Sequence, residues 1–169
     1  MTPHDTDAAD TDAAAHHTAA PHAEAEAAVE ARISASFARQ GLMGTLGATL
    51  AAVAPGRVEV ALRPTPAITQ QHGFVHAGAV SAIADTAAGY AALSLMPAGR
   101  GVLTTEFKIN LVAPAAGERI VARARVIKAG RTLTLVQAEV FAERAGREHL
   151  IAFLTATMMA LEGRAGIDD

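Results

Sequence analysis

Asp85, His76 and the small residues between them are the part of this sequence whose types and spacing best suit chemistry. From Ala77 to Met96 the chain is built of Ala, Gly, Val, Ser, Ile, Leu, Thr, Tyr and Met, and Asp85 is the single charge. A helix that is apolar nearly all round is a buried one. A carboxylate on such a helix costs several kcal/mol unless it is paired or hydrogen-bonded. Asp85 lies about two turns in, too far to act as an N-cap or to gain much from the helix dipole. Two readings remain: an acid facing a buried partner, or a general base or nucleophile with a pKa adjusted by desolvation. The second is preferred. Ahead of the helix, His72-Gly73 and His76-Ala77-Gly78 bring the chain in with little side-chain bulk. Unpaired backbone N–H groups at such a helix start can bind a developing oxyanion, which makes Ala77 and Gly78 candidate donors. His76 can serve as a general acid or brace the loop by hydrogen bonds, and bracing is the favoured role. The chain has no cysteine, so thiolate chemistry and disulfides are excluded, and metal ligands could come only from His, Asp and Glu.

The elements around this segment follow from hydropathy. Residues 1–22 are rich in Ala, Thr, Asp and His without large apolar residues at regular spacing, and read as a disordered tail. Its histidines (His4, His16, His17, His22) have nothing to fix their geometry, so no metal site is expected. From residue 24 to about 40 the pattern is helical, with Ala25, Val29, Ile33 and Phe37 forming one stripe and Gly41 a stop signal. Residues 46–53 and 58–62 read as a hairpin turning at Pro55-Gly56. Pro64 and Pro66 open a loop that runs to about His76. The central helix follows, from Ala77 or Gly78 to about Met96, ending before Pro97. Then come four strands at 102–111, 119–128, 132–143 and 148–161, read as an antiparallel meander. In the first of them Leu103, Phe107, Ile109 and Leu111 alternate with Glu106, Lys108 and Asn110. This order is α+β: an antiparallel sheet wrapped around one long central helix, with an extra N-terminal helix. It excludes a parallel nucleotide-binding sheet, and no Gly-rich phosphate loop follows a strand. One domain is expected over residues 23–162, with a C-terminal tail at 163–169.

Charge narrows the partners. Before Arg32 there are seven acids and no Lys or Arg; the remainder carries fourteen bases against ten acids. That mild basicity suits an anionic ligand, but it is too scattered for nucleic acid, which wants clustered cations and stacking aromatics. Aromatics make up only 4% of the chain. No uninterrupted apolar run argues for a membrane span, and the acidic start is unlike a signal or transit peptide, so the protein is read as cytoplasmic.

The run Gly73-Phe74-Val75-His76-Ala77-Gly78-Ala79-Val80-Ser81-Ala82-Ile83-Ala84-Asp85 resembles the His-Gly-Gly…Asp signature of hotdog-fold acyl-CoA thioesterases of the PaaI-like, phenylacetate-pathway type. The resemblance extends through Thr104 to Ala115 and into Gly130-Arg131-Thr132-Leu133, and so covers roughly residues 40–161. It implies the hotdog fold and hydrolysis of an acyl-CoA, with Asp85 as catalytic base or nucleophile and the Ala77 amide polarising the thioester carbonyl. It also implies that Gln70 holds substrate or water, and that Thr104 positions water. Strand alternation places Thr104 on the Glu106 face, so that role requires a bulge. The first family Gly is Ala77 here, and its methyl group narrows the approach to the amide. No cofactor is implied, since CoA enters as part of the substrate. In relatives the site straddles two subunits, so a homodimer joined edge to edge is expected, and a homotetramer from two such dimers. Arg131, Gly130, Lys128 and Arg100 are the candidates for holding the CoA phosphates. The rival readings are a dehydratase or hydratase on the same fold, which would use another His/acid constellation, and a non-catalytic acyl-CoA sensor. A DNA-binding sensor would need a helix-turn-helix, and one amphipathic helix after an acidic tail does not supply it.

Overall fold

The computed structural model describes residues 13–162, with side chains from residue 23 onward. Its elements in chain order are α1 (Ala13–Phe37), α2 (Gly41–Leu46), β1 (Thr49–Ala54), β2 (Arg57–Leu62), a 3-10 turn (Pro66–Ile68), α3 (Ala77–Leu93), β3 (Gly101–Leu111), β4 (Arg119–Lys128), β5 (Leu133–Arg144) and β6 (Arg147–Leu161). The six strands form one antiparallel sheet in the order β1-β2-β4-β5-β6-β3, curled around α3. This is the expected α+β architecture, a sheet wrapped on one central helix with an extra helix ahead of it.

Small side chains explain how the sheet closes on α3. Ala84, Ala87, Ala88, Ala91 and Ala92 are fully buried, and the strands answer with Val58, Val60, Ile120, Val136, Val140, Leu154 and Met158. Alanine keeps the helix stable while letting a sheet approach closely. The stripe Ser81, Asp85 and Gly89 stays half-buried. Asp85 is therefore at the edge of the core rather than fully inside it, as the composition of the helix alone had suggested.

Several boundaries differ from the sequence reading. Helix α1 begins at Ala13, so helical backbone extends into the stretch read as a tail; the alanine content favours it. Residues 1–12 and 163–169 lie outside the described residues. Within the expected stripe of α1, Ile33 is fully buried and Val29 and Phe37 partly so, while Ala25 is exposed. Gly41 does not end α1 but starts α2, which ends at Gly47 in the left-handed region (φ 63°) with its N–H bonded to Gly44 O. The stretch 46–48 is thus a helix end, and β1 starts only at Thr49. The last four strands are also not a simple meander. β3 pairs with β6, and β4 instead pairs with β2. Local periodicity carries no information about which strand lies beside which.

Two polar ties hold the layers. The Arg32 guanidinium donates to Leu93 O at 2.7 Å and to Met96 O at 3.1 Å, a cation placed on the carbonyl end of α3. Ser94 Oγ accepts from Gly56 N at 2.7 Å and donates to Ala91 O, which joins the β1–β2 turn to the same helix end. That turn needs its glycine, because Gly56 has φ 73°.

The β5–β6 connection carries the one positive-φ residue other than glycine among the described residues. Ala145 (φ 50°) and Gly146 (φ 71°) make a two-residue turn in which both residues are left-handed. Alanine is strained there, while asparagine tolerates the conformation. Ala145→Asn is expected to stabilise the fold by about 0.5–1 kcal/mol in urea unfolding. An unchanged or lower midpoint would contradict this turn geometry.

Candidate active site

The loop before α3 is pinned from several sides. His76 N donates to Ile68 O at 2.8 Å, Val75 N to Ala115 O at 3.0 Å, and Gln70 N to Phe74 O at 2.8 Å. These bonds fix the point where α3 begins. His76 is its N-cap: Nδ1 accepts from Gly78 N at 2.8 Å, and the His76 carbonyl takes the Ala79 and Val80 amides. A ring nitrogen that accepts carries no proton, so the neutral ring holds its proton on Nε2. The bracing role expected for His76 is the one its geometry displays. Gly78 is small because a Cβ there would come within 3.0 Å of His76 Nδ1.

This cap sorts the two candidate donors. Gly78 N–H is committed to His76 and does not point to a ligand. Ala77 N–H, the first helical amide, has no acceptor among the described residues, as the first N–H of a helix normally lacks one inside the helix. Ala77 lines a cavity of about 420 Å³ together with Gln70, His76, Phe74, Leu111 and Pro114. Gln70, which lines that cavity, accepts from His72 N through Oε1.

Asp85 lies elsewhere on the helix. Thr104 Oγ1 donates to Asp85 Oδ1 at 2.8 Å, with Met158 Sδ at 3.4 Å on the other side of the hydroxyl. Simple alternation would have turned Thr104 outward. The register along β6 shows why it faces the helix: Thr104 is opposite Met158 and Glu106 opposite Thr157, so Thr105 is an extra residue in β3. The bulge reverses the facing of the strand. Burial raises the Asp85 pKa above the usual carboxylate value, and the Thr104 hydrogen bond lowers it part of the way back. Asp85 and Thr104 line a second cavity of about 370 Å³ with Gly89 and Tyr90 of α3, Ser36 and Gln40 from the end of α1, and Val102 of β3. Sequence reasoning missed Ser36, Gln40 and Tyr90. Tyr90 is the sole tyrosine of the chain, and a phenol on an otherwise apolar helix was the available signal, since a buried Tyr hydroxyl needs partners.

The candidate residues therefore fall into two separate clusters. Ala77, Gln70 and His76 form one, and Asp85 and Thr104 form the other. Eight residues of helix separate Ala77 from Asp85, roughly 12 Å of rise. One carbonyl cannot lie about 3 Å from both. Of the four phosphate candidates, Arg100, Gly130 and Arg131 line a third cavity at the far end of α3, and Lys128 does not. Arg100 is shared with Glu162 at 3.0 Å and Arg131 O at 3.5 Å.

Comparison with known proteins identifies the family. Residues 72–148 match the thioesterase superfamily. A thioesterase family protein from Silicibacter pomeroyi shares 52% identity and a TM-score of 0.78, over 80% of this chain and 99% of that one. A conserved protein from Pseudomonas aeruginosa shares 30% identity and a TM-score of 0.66, over 72% of this chain and 94% of its own. The PaaI protein of the E. coli phenylacetic acid degradation operon, at 20% identity and a TM-score of 0.74, covers 82% of this chain and 96% of its own, and shares the fold. No curated protein is similar enough to count as a match.

Thr104 gives a test of the Asp85 environment. The hydroxyl stabilises the ionised carboxylate, so Thr104→Val should raise the Asp85 pKa further. An activity that needs the ionised form would then lose its acid limb at a higher pH, and NMR titration of the Asp85 carboxyl should move the same way. A shift to lower pH, or none, would show that the hydrogen bond does not act on this group.

Proposed function

Because the chain belongs to the thioesterase family and has the hotdog fold of its PaaI-like members, we propose that it hydrolyses an acyl-CoA with Asp85 as general base, in a site completed by a second copy of itself. The observation that carries this reading is Asp85 itself: a lone carboxylate on the central helix, desolvated, held by Thr104 and open to a cavity. Desolvation strengthens a carboxylate as a proton acceptor, which is what activation of water requires.

The reaction balances without a cofactor. Asp85 takes a proton from water as the water oxygen attacks the thioester carbonyl carbon. The oxygen that becomes negative is met by the Ala77 amide. The tetrahedral species collapses with breakage of the C–S bond, the proton passes to the departing thiolate, and the products are a carboxylic acid and a thiol. Gln70 Nε2 can hold the carbonyl or the water from beside Ala77. Arg131, Gly130, Arg100 and Lys128 surround the β4–β5 turn, where a polyanionic CoA tail meets positive charge.

The second copy is argued from the edge strand. β3 is an eleven-residue outer strand with Phe107 46% and Leu111 52% exposed. A long, apolar, unpaired edge is a liability unless something pairs with it. Leu103 and Thr104 near its start line the Asp85 cavity, and Leu111 at its end lines the Ala77 cavity. A two-fold pairing centred between Phe107 and Lys108 sets Thr104 against Leu111 of the partner subunit. Asp85 of one copy then meets the helix start of the other, which closes the 12 Å gap. A further pairing of such dimers fits the exposed Leu133 and Leu135 on β5.

Ala77 permits a clean test. It is the first residue of α3 and follows His76 at φ −61°, ψ 138°, backbone that accepts a following proline. Ala77→Pro thus keeps the helix and removes only the amide hydrogen, with an expected loss of about 10²–10³ in kcat. Asp85→Asn should lose about 10²–10⁴. Mixed and reassembled, the two inactive variants should regain roughly a quarter of wild-type activity, since half the dimers are mixed and each holds one intact site. Full activity in Asp85→Asn alone would remove the base from the mechanism. No recovery on mixing would place both half-sites in one copy.

A further inference from the structure

Thr104 Oγ1 stands between two acceptors, Asp85 Oδ1 at 2.8 Å and Met158 Sδ at 3.4 Å. A hydroxyl has one proton and two lone pairs, so it donates to only one of them at a time. While Asp85 is ionised the carboxylate takes that proton, because a charged acceptor is the stronger one. The thioether is then idle. Met158 is fully buried on β6, opposite Thr104 of β3 on one side and Thr134 of β5 on the other. Leucine fills such a site with better-defined rotamers, and what methionine adds is a sulfur able to accept a hydrogen bond. Sulfur and hydroxyl meet only because the extra residue, Thr105, turns Thr104 to the helix side of the sheet. Among the described residues, Thr104 is the one side chain hydrogen-bonded to the Asp85 carboxyl.

Resting on the reading of Asp85 as the base, we propose that Met158 is a positioning residue whose sulfur accepts the Thr104 proton when Asp85 becomes an acid, so that Thr104 turns round and accepts from the carboxyl group. The proton that Asp85 takes from water can settle on Oδ1 only if Thr104 stops donating there. With its own proton aimed at Met158 Sδ, Thr104 Oγ1 offers a lone pair to that O–H instead. Both protons keep their oxygens during the turn, and the acid proton stays on Asp85 until the departing thiolate takes it. Thr104 thus stabilises both forms of the base, and the sulfur supports only the protonated one. Removing the sulfur therefore favours the carboxylate. The surrounding charges do not change in this comparison. Arg39, just beyond α1, and Tyr90 of α3 line the same cavity. Arg32 is committed to Leu93 O and Met96 O, and Glu106 of β3 accepts from Thr157 Oγ1 on the opposite face of the sheet. The facing residues of β5 and β6, Thr134 and Met158, carry no charge.

The test is a double-mutant cycle read as the Asp85 pKa, from carboxyl-carbon NMR titration, alongside the acid limb of kcat/KM. Met158→Leu conserves volume and should lower both by about half a unit, the opposite direction to Thr104→Val. In the Thr104→Val background the same substitution should change neither. Met158→Ile, which suits a strand, should repeat the Met158→Leu result, with cooperative thermal melting in both variants. No shift, as when water serves as the second acceptor, or a shift upward, overturns the assignment. An equal downward shift in both backgrounds means that the sulfur acts on Asp85 without Thr104, and overturns it too. The NMR measurement needs no turnover, so a missing shift together with an inactive Asp85→Asn removes this assignment and leaves the base in place. Full hydrolysis by Asp85→Asn removes the base, and overturns the catalytic use of Met158 with it.

Discussion

The sheet closes on α3 because most of the helix surface that the strands cover is alanine, with Val80, Ile83 and Leu93 as the larger apolar contacts. Close approach buries a large apolar area at low entropic cost, since alanine has no rotamers to lose. It also fixes what is left over. Six strands wrapped on one helix leave one stripe unpacked, and here that stripe is Ser81, Asp85 and Gly89. The carboxylate, the passage beside it and the edge strand next to it are all consequences of where wrapping stops. β3 is the strand that closes this gap, and it does so with an inserted residue. Were the alternation unbroken through Thr105, the strand would present Leu103 to the carboxylate, and Asp85 would face apolar surface with no donor.

The same packing keeps the two candidate clusters apart. A helix holds its useful groups at fixed heights: the free amide at its start and the carboxylate about two turns up. No side-chain adjustment brings them to one carbonyl, because the amide is backbone and the carboxylate has only two rotatable bonds. In the proposed dimer, pairing through β3 would resolve this without distorting either helix. It would also cover the edge that would otherwise invite uncontrolled pairing. On that reading, edge protection and site assembly place their demands on the same strand, one that is long, apolar and bulged at once.

Much of this was legible in the residues. The lone acid on an apolar helix pointed to Asp85, the small residues ahead of it pointed to the helix start, and period-two runs gave β4 with its observed limits. What failed was non-local. Thr104 alternates with Glu106 in sequence, and only the register against β6 reveals the extra residue. The pairing of β3 with β6 rather than β4 is likewise a property of the closed sheet. Gly78 looked like a donor by position, but its amide goes to His76, and such caps are decided by a rotamer rather than by spacing. The far wall of the Asp85 cavity escaped notice because Ser36 and Gln40 lie at a helix junction far in sequence from Asp85.

Asp85 also shows how function and stability divide. Its pKa is raised in the fold, so the ionised form is less favourable folded than unfolded. Above the folded pKa this group costs stability, and the cost disappears as pH falls below the unfolded value. That is the reverse of an acid in a salt bridge, which stabilises at neutral pH and fails on acidification. Thr104 reduces the cost without cancelling it. A positively charged partner would cancel it, and would also hold the carboxylate's lone pairs and weaken it as a base. A neutral hydroxyl is the compromise: it favours the ionised form against desolvation and still leaves the group able to take a proton.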